Sequence, residues 1–278
     1  MEIIIDGSSL FTRCWYAVVP NESAANNPKL IEMVLTAATK SATLLFTSEY
    51  GAGVPKKTAF CWEGENKRKK SKRVKKPESF YATRVSYKKI VEILFNTVNV
   101  VSDRHEADDV IASMVFKSKS DEIIVVSGDK DLKQLVDEDK NIYYYCLNKK
   151  QYATSKNIEM KYGVKKPIQL PIYLAIVGDS VDEIPGIPKW GDKKCKKLFE
   201  DITREDGFNY CLEKITEKIR STGQSNLDSF YESLDLTLLN RDIPNLPEPS
   251  PFILANREDL DEIGIDGITE HYQKIFGF

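Results

Sequence analysis

The chain has only two histidines, His105 and His271, too few and too separated to build an imidazole metal site. Cysteine is also scarce. Cys14, Cys61, Cys146, Cys195 and Cys211 are odd in number and form no CxxC pair. That argues against a zinc cage and a disulfide framework, and favours a reducing, intracellular compartment. No run approaches the roughly 18–20 apolar residues that span a bilayer. The opening MEIIIDG lacks the basic n-region and long apolar core of a signal peptide. Neither GxxxxGK[ST] nor GxGxxG occurs, so binding of nucleoside triphosphates or dinucleotides has no motif behind it. Net charge is only −2 over 278 residues, which excludes a uniformly basic nucleic-acid binder. No internal repeat is apparent.

What is present is an alternation of strand and helix signals. EIIIDGSS reads as a short buried strand, IEMVLTAATKSATLLF as a helix and KKTAFCWEG as a second strand. SYKKIVEILFNTVNVV reads as helix then strand, EIIVVSGDKDLKQLV as strand, turn and helix, and KNIYYYCL as a further strand. This predicts an α/β fold whose mostly parallel sheet is flanked by helices. Strand signals fade near residues 150–165, and short helices separated by Pro and Gly follow. The expected division is therefore 1–160 and a helical part, 161–278. The Pro-rich stretch 243–252 reads as an extended surface connector.

Ligands of parallel sheets bind beyond the carboxyl ends of the strands. Asp6, Asp129 and Asp131 each close an apolar run, and Glu106, Asp108 and Asp109 head the amphipathic helix of RHEADDVIASMVF. Taken singly, each acid reads as a cap or first-turn residue at the positive end of a helix. Asp179 and Asp182 in VGDSVDEIPG allow the same reading. Jointly, Asp6, Glu106, Asp108, Asp129 and Asp131 would repel one another unless divalent cations were bound. An oxygen-only ligand set suits Mg²⁺ or Mn²⁺. Two such ions about 3.5–4 Å apart support hydrolysis of a phosphodiester.

The stretch NKRKKSKRVKKPES, near residues 64–80, carries Lys67, Arg68, Lys69, Lys70, Lys72, Arg73, Lys75 and Lys76. It reads either as a solvated charged loop or as an attractor of a polyanion. No aromatic residue interrupts its charges, so it should grip backbone rather than stack bases. In IPGIPKWGDKKCKKLF, Gly186 and Gly191 precede Lys193 and Lys194, which reads as a helix–turn–helix with solvated lysines or as a phosphate-binding turn.

IIIDGSSLFTRCWYA, EADDVIAS, VVSGDKDLKQLV and YLAIVGDSVDEIPGIPKWGDKKCKKLF, in that order over residues 1–200, resemble the signature blocks of the 5′-nucleases. That family comprises the 5′→3′ exonuclease domains of bacterial DNA polymerase I, bacteriophage 5′-exonucleases and flap endonucleases. The short chain most resembles the phage members. The resemblance implies a PIN-like α/β domain followed by a helix–three-turn–helix motif near residues 175–200. It implies a Mg²⁺-dependent nuclease, with Mn²⁺ able to substitute, that cleaves near DNA 5′ ends, flaps or nicks. RNA in RNA–DNA hybrids is a further expected substrate, with replication and repair the expected setting, a monomer the expected state, and the cytoplasm (the host's, for a phage protein) the expected location.

By the same resemblance Asp6, Glu106, Asp108, Asp129 and Asp131 are metal ligands. Asp109 stands close to the metals, Asp179 and Asp182 complete the second site, and Glu63 takes the place of an Asp that precedes the family's arch. Lys67, Arg68, Lys72 and Arg73 are candidates for the arch pair that contacts the scissile phosphate. Lys69, Lys70, Lys75 and Lys76, with Gly186, Gly191, Lys193 and Lys194, are DNA-contact candidates, and K⁺ is the ion many relatives hold in the hairpin. The family pattern GDxxDNIPGVxGIGxKTA is altered here. Glu183 replaces the Asn, and Pro188-Lys189-Trp190 replaces the Gly-Ile-containing turn. The rival readings are a non-catalytic binder of DNA junctions and a PIN-type ribonuclease. A phosphatase with Asp6 as nucleophile would want a second Asp two residues on, where Ser8 stands.

Overall fold

The structure, a computed structural model, describes residues 1–47, 52–64 and 76–277. These form two compact units: Met1–Gly128 with Tyr145–Lys150 and Arg241–Phe278, and Asp129–Tyr144 with Gln151–Asn240.

The first unit begins with β1 (Glu2–Asp6), whose β-branched Ile3, Ile4 and Ile5 are wholly buried. α1 (Gly7–Val18) follows without a loop, because Asp6 accepts the Ser9 amide and so acts as its N-cap. α2 (Pro28–Leu45) opens on a proline, with Asn27 as cap. Then come β2 (Lys57–Glu63), α3 (Glu78–Phe95), β3 (Val98–Ser102), α4 (Ala107–Lys117) and β4 (Ile123–Ser127). β1 pairs in parallel with β2 and β4, and β2 in parallel with β3, giving the order β3-β2-β1-β4. All four carboxyl ends therefore lie on one edge, as the alternation of elements predicts.

The chain continues into the second unit through Asp129. The GDKDLKQLV pattern predicts an α-helix after the turn, but Asp131–Leu135 is a short 3₁₀ turn. The Asp129 carboxylate accepts the Asp131 amide two residues on, which tightens the turn. β5 (Ile142–Cys146) starts in the second unit and ends in the first, and β6 (Gln151–Ala153) follows. α5 (Ser155–Tyr162), α6 (Leu170–Val177), α7 (Asp192–Leu198), α8 (Phe208–Arg220) and α9 (Gln224–Thr237) complete the second unit. α6 is apolar all round and buried from Leu170 to Ile176, packed against α9.

The chain then re-enters the first unit. β7 (Ser250–Pro251) pairs antiparallel with β2, and α10 (Arg257–Ile263) and α11 (Asp266–Phe276) pack on α3 and α2. Residues 241–278, read from sequence as part of the helical second part, are thus built into the first unit. Long-range packing drives this return. Phe252 meets Phe46 at a ring separation of 4.7 Å, and the buried Tyr272 hydroxyl donates to the Leu94 carbonyl while accepting the Ala255 amide.

Candidate functional site

Asp6 ends β1 at the carboxyl edge and is 3% exposed. Its Oδ1 accepts the Ser9 amide at 2.8 Å, and its Oδ2 accepts the Ser127 hydroxyl at 2.6 Å from the end of β4. Bonds to both oxygens fix the plane of a group that can accept about four. The same serines knit the edge together. Ser8 Oγ accepts the Glu63 amide at 2.9 Å and Ser9 Oγ accepts the Gly128 amide at 3.2 Å. Sequence reading missed the positioning role of Ser8, Ser9 and Ser127. The signal was the DGSS that follows the first strand, but a serine after a strand has many ordinary uses.

Glu63 closes β2, on the same edge. The next residue, Gly64, sits so close to the end of β3 that a Cβ would lie 2.0 Å from the Ser102 carbonyl oxygen. Glu106 is the N-cap residue of α4, and Asp108 and Asp109 occupy its first turn, where the helix end favours negative charge. Asp109 is 4% exposed, whereas Glu106 and Asp108 are half-buried. Beside them, Ser102 Oγ and His105 Nδ1 are 2.8 Å apart. The first unit thus places Asp6 and Glu63 at strand ends and Glu106, Asp108 and Asp109 at a helix start.

In the second unit, Asp131 is 8% exposed and Asp129 is fixed by its bond to the Asp131 amide. Tyr144 donates its hydroxyl to the Asp129 carbonyl. Asp179 joins Ile184 through paired backbone hydrogen bonds, and its Oδ1 accepts the Val181 amide at 3.0 Å. Lys130, the middle residue of the GDKD turn, forms an ion pair with Asp179. That pairing was not foreseen from the sequence. Asp182 is half-buried on the same loop.

The hairpin candidates also lie in this unit. Gly186 has φ +68°, and a Cβ there would approach the Gly178 nitrogen to 2.6 Å, so glycine is required. Its amide donates to Ser233 Oγ at 2.9 Å. Gly191 is the N-cap of α7 at an ordinary φ of −88°, with open space beside it. Lys193 and Lys194 are exposed on the first turn of α7, the Lys194 ammonium 3.6 Å from the centre of the Trp190 ring. Asp192 accepts from Tyr173 and Lys196. Against some desolvation, the bonds from Lys196 and Tyr173 hold the Asp192 carboxyl below its usual range, and burial together with Asp192 pushes the tyrosine up.

Of the basic stretch, Lys67, Arg68, Lys69, Lys70, Lys72, Arg73 and Lys75 lie outside the described residues. Lys76 is described, and its ammonium lies over the Tyr16 ring, 4.3 Å from the centroid, and bonds the hydroxyl.

Among the described residues, no three or more His, Cys, Asp or Glu side chains are gathered in metal-holding geometry. The fit to a cation is therefore one of donor chemistry. The candidates are carboxylates throughout, and Asp6, Asp109 and Asp131 are buried. Hard oxygen donors suit a hard divalent ion.

Residues 1–163 match the family model described as 5'-3' exonuclease, N-terminal resolvase-like domain. A 5'-3' exonuclease of Buchnera aphidicola subsp. Schizaphis graminum is 30% identical over 224 residues, covering 77% of this chain and 74% of the relative. DNA polymerase I of Caldicellulosiruptor bescii is 28% identical over 252 residues, covering 87% of this chain but only 29% of the polymerase. The chain thus spans under a third of the polymerase it matches. In fold it is similar to the T5 D15 protein co-crystallized with metal ions, with a TM-score of 0.61, 15% identity, and 99% and 97% of the two chains covered. It is also similar to the bacteriophage T5 D15 flap endonuclease in a complex with DNA and metal ions, with a TM-score of 0.58, 16% identity, and 99% and 97% covered. These likenesses agree with the expected PIN-like class. By the family model over more than half its length, and by its identity to a relative that it largely covers, the chain belongs to the 5'-3' exonuclease family.

Proposed function

We propose that the chain is a divalent-metal-dependent 5′→3′ nuclease that hydrolyses phosphodiesters near DNA 5′ ends, flaps or nicks. The observation that carries this reading is Asp6, a buried carboxylate at the carboxyl edge of a parallel sheet, with both oxygens oriented by serine donors. Family membership supports the reaction class. The T5 flap endonuclease, whose complex contains DNA and metal ions, supports the substrate class.

In this reading Asp6, Glu106, Asp108, Asp129 and Asp131 serve as ligands. Asp179 and Asp182 complete a second site, and Asp109 and Glu63 stand beside the ligands. Mg²⁺ is the proposed ion, with Mn²⁺ as substitute. When held there, two such ions would supply Lewis-acid polarisation of the phosphate and would lower the pKa of a water. The chain's own contribution is positional. Ser9 and Ser127 hold the Asp6 plane, and the first turn of α4 presents its acids at a helix end that favours their charge.

Lys67, Arg68, Lys72 and Arg73 are proposed to stabilise charge developing on the scissile phosphate. Lys69, Lys70, Lys75 and Lys76 grip the strand. Gly186, Gly191, Lys193 and Lys194 contact duplex phosphates, with K⁺ a proposed ion of the hairpin. The proposal extends to RNA in RNA–DNA hybrids and to a monomer.

A 5′-flap duplex labelled at both flap and downstream ends tests the reading, with Mg²⁺ or EDTA and wild type against Asp131→Asn. Products are expected only with Mg²⁺. Their loss in the variant should exceed the roughly 10–100-fold cost of removing an outer-shell partner. Wild-type turnover in a folded Asp131→Asn overturns the ligand assignment.

A further inference from the structure

The basic stretch contains no aromatic residue, so its sequence predicts a grip on phosphates and none on bases. The fold alters that expectation by setting two tyrosines of the first unit near its end. Tyr16 stands on α1, the helix that Asp6 caps, and Tyr81 on the first turn of α3, which follows the basic stretch. They are 56% and 41% exposed, so both rings keep surface that a ligand can reach. Each follows a buried aromatic residue in the chain. Those two, Trp15 and Phe80, pack with ring centroids 5.2 Å apart. The backbone that carries the tyrosines is therefore fixed by the core.

Each ring also carries a cation. The Lys76 ammonium lies 4.3 Å from the Tyr16 centroid and 5.9 Å from that of Phe80, and the Arg84 guanidinium lies 5.3 Å from that of Tyr81. With the Phe80 and Tyr81 centroids 5.4 Å apart, the order is Tyr16, Lys76, Phe80, Tyr81, Arg84. Lys76 and Arg84 are only half-buried, and among the described residues neither is in an ion pair. Lys88, one turn beyond Arg84 on α3, is a like charge and offers no compensation. Exposed rings interleaved with uncommitted cations suit a single strand, whose bases stack on the rings while its phosphates meet the cations. A duplex keeps its base faces inside, so only its phosphates meet such a surface. Tyr210 and Lys214 make a similar pair in the second unit. There, however, Lys214 donates to the Asp201 carbonyl and lies in the field of Asp201 and Asp206, which repel a strand.

We propose that Tyr16 and Tyr81 form a stacking platform for the bases of single-stranded DNA, with Lys76 and Arg84 holding the phosphates beside them. The inference rests on the nuclease reading for its substrate, and gives the single 5′ strand of a flap a path over α1 and α3. It adds base contacts to a grip otherwise made of charge. Such contacts tolerate any sequence, because every base has a π face.

Fluorescence anisotropy of the full chain in EDTA tests it with an oligothymidylate, its wholly abasic counterpart and a blunt duplex. Wild type should bind the oligothymidylate about fivefold or more tightly than the abasic strand. Tyr16→Leu/Tyr81→Leu should lose that preference, yet bind the abasic strand and the duplex like wild type. Each single leucine variant should lose part of it, which keeps the test valid if the double variant misfolds. Tyr16→Phe/Tyr81→Phe keeps the rings and should retain the preference. So should Tyr210→Leu/Tyr231→Leu, at similarly exposed tyrosines of the second unit. Equal affinity of wild type for the two strands overturns the inference. So does a preference that survives in the folded leucine variants, or one lost only with Tyr210 and Tyr231. Mg²⁺-dependent cleavage of the 5′-flap duplex separates this inference from the nuclease reading. Flap cleavage by a wild type that shows no preference for bases leaves the nuclease and removes the platform. A preference lost in the leucine variants of a chain that cuts no flap leaves the platform and removes the nuclease.

Discussion

Lys189 and Glu183 both adopt left-handed backbone conformations, with φ of +66° and +56°. In the family pattern these two positions are Gly and Asn, the residue types that enter this region most easily. A side chain with a Cβ costs about 1–2 kcal/mol there. Lys189→Gly relieves that strain but adds freedom to the unfolded chain, which offsets about 0.4–1 kcal/mol. The expected net gain is about 0.5–1 kcal/mol, or about 2 °C in Tm. Lys89→Gly, at an exposed position within α3, should instead lose about 1 kcal/mol. Urea denaturation of both variants measures the contrast. If Lys189→Gly destabilises as Lys89→Gly does, relief of strain at residue 189 does not outweigh the freedom gained by the unfolded chain.

At the scale of elements, the tightest constraint is the junction of β2 and β3. Any Cβ on residue 64 would meet backbone, the Ser102 carbonyl at 2.0 Å, and backbone cannot rotate away as a side-chain tip can. Gly64→Ala is expected to cost about 3 kcal/mol or more in chemical denaturation. Gly191→Ala, with open space and an ordinary φ, should change stability by less than about 1 kcal/mol. Equal effects would remove the packing explanation. The strands that carry the candidate site were legible because their signals are local. Three isoleucines followed by Asp mark β1, and IIVVS marks β4. The acids at the head of α4 were legible from helical spacing alone. What was not legible depends on distant partners. The tight turn at Asp131 follows from one Asp129 side-chain bond, and β7 exists only because residues 250–251 find β2. The Pro-rich stretch 243–252 gave no hint that Ser113 would accept the Ile243 amide or that Phe252 would bond the Lys56 carbonyl. Likewise, DGSS shows its serines but not the Ser127 hydroxyl that reaches Asp6 from a strand 121 residues later.

For the molecule as a whole, a net charge of −2 leaves no general attraction for a polyanion. In the proposed nuclease reading, affinity for DNA must then come from local concentrations of positive charge, each releasing counterions where it neutralises a phosphate. Two such concentrations are offered, the basic stretch at residues 67–76 and the lysines at the head of α7. Their contributions are separable because each phosphate contact adds about 0.9 to the slope of log affinity against log salt for duplex and about 0.7 for a single strand. Lys193→Ala/Lys194→Ala should flatten the slope for a nicked duplex by about 1.8 and leave that for a single strand nearly unchanged. Serine substitution of the basic residues between 67 and 76 should flatten the single-strand slope instead. Fluorescence anisotropy in EDTA across a salt series reads both without turnover. If the double lysine variant keeps the wild-type duplex slope, the α7 hairpin does not hold duplex phosphates, and DNA engagement falls to the basic stretch alone. If, in addition, the serine variant keeps the wild-type single-strand slope, neither feature contacts the backbone, and the charge reading of the molecule fails even where cleavage persists.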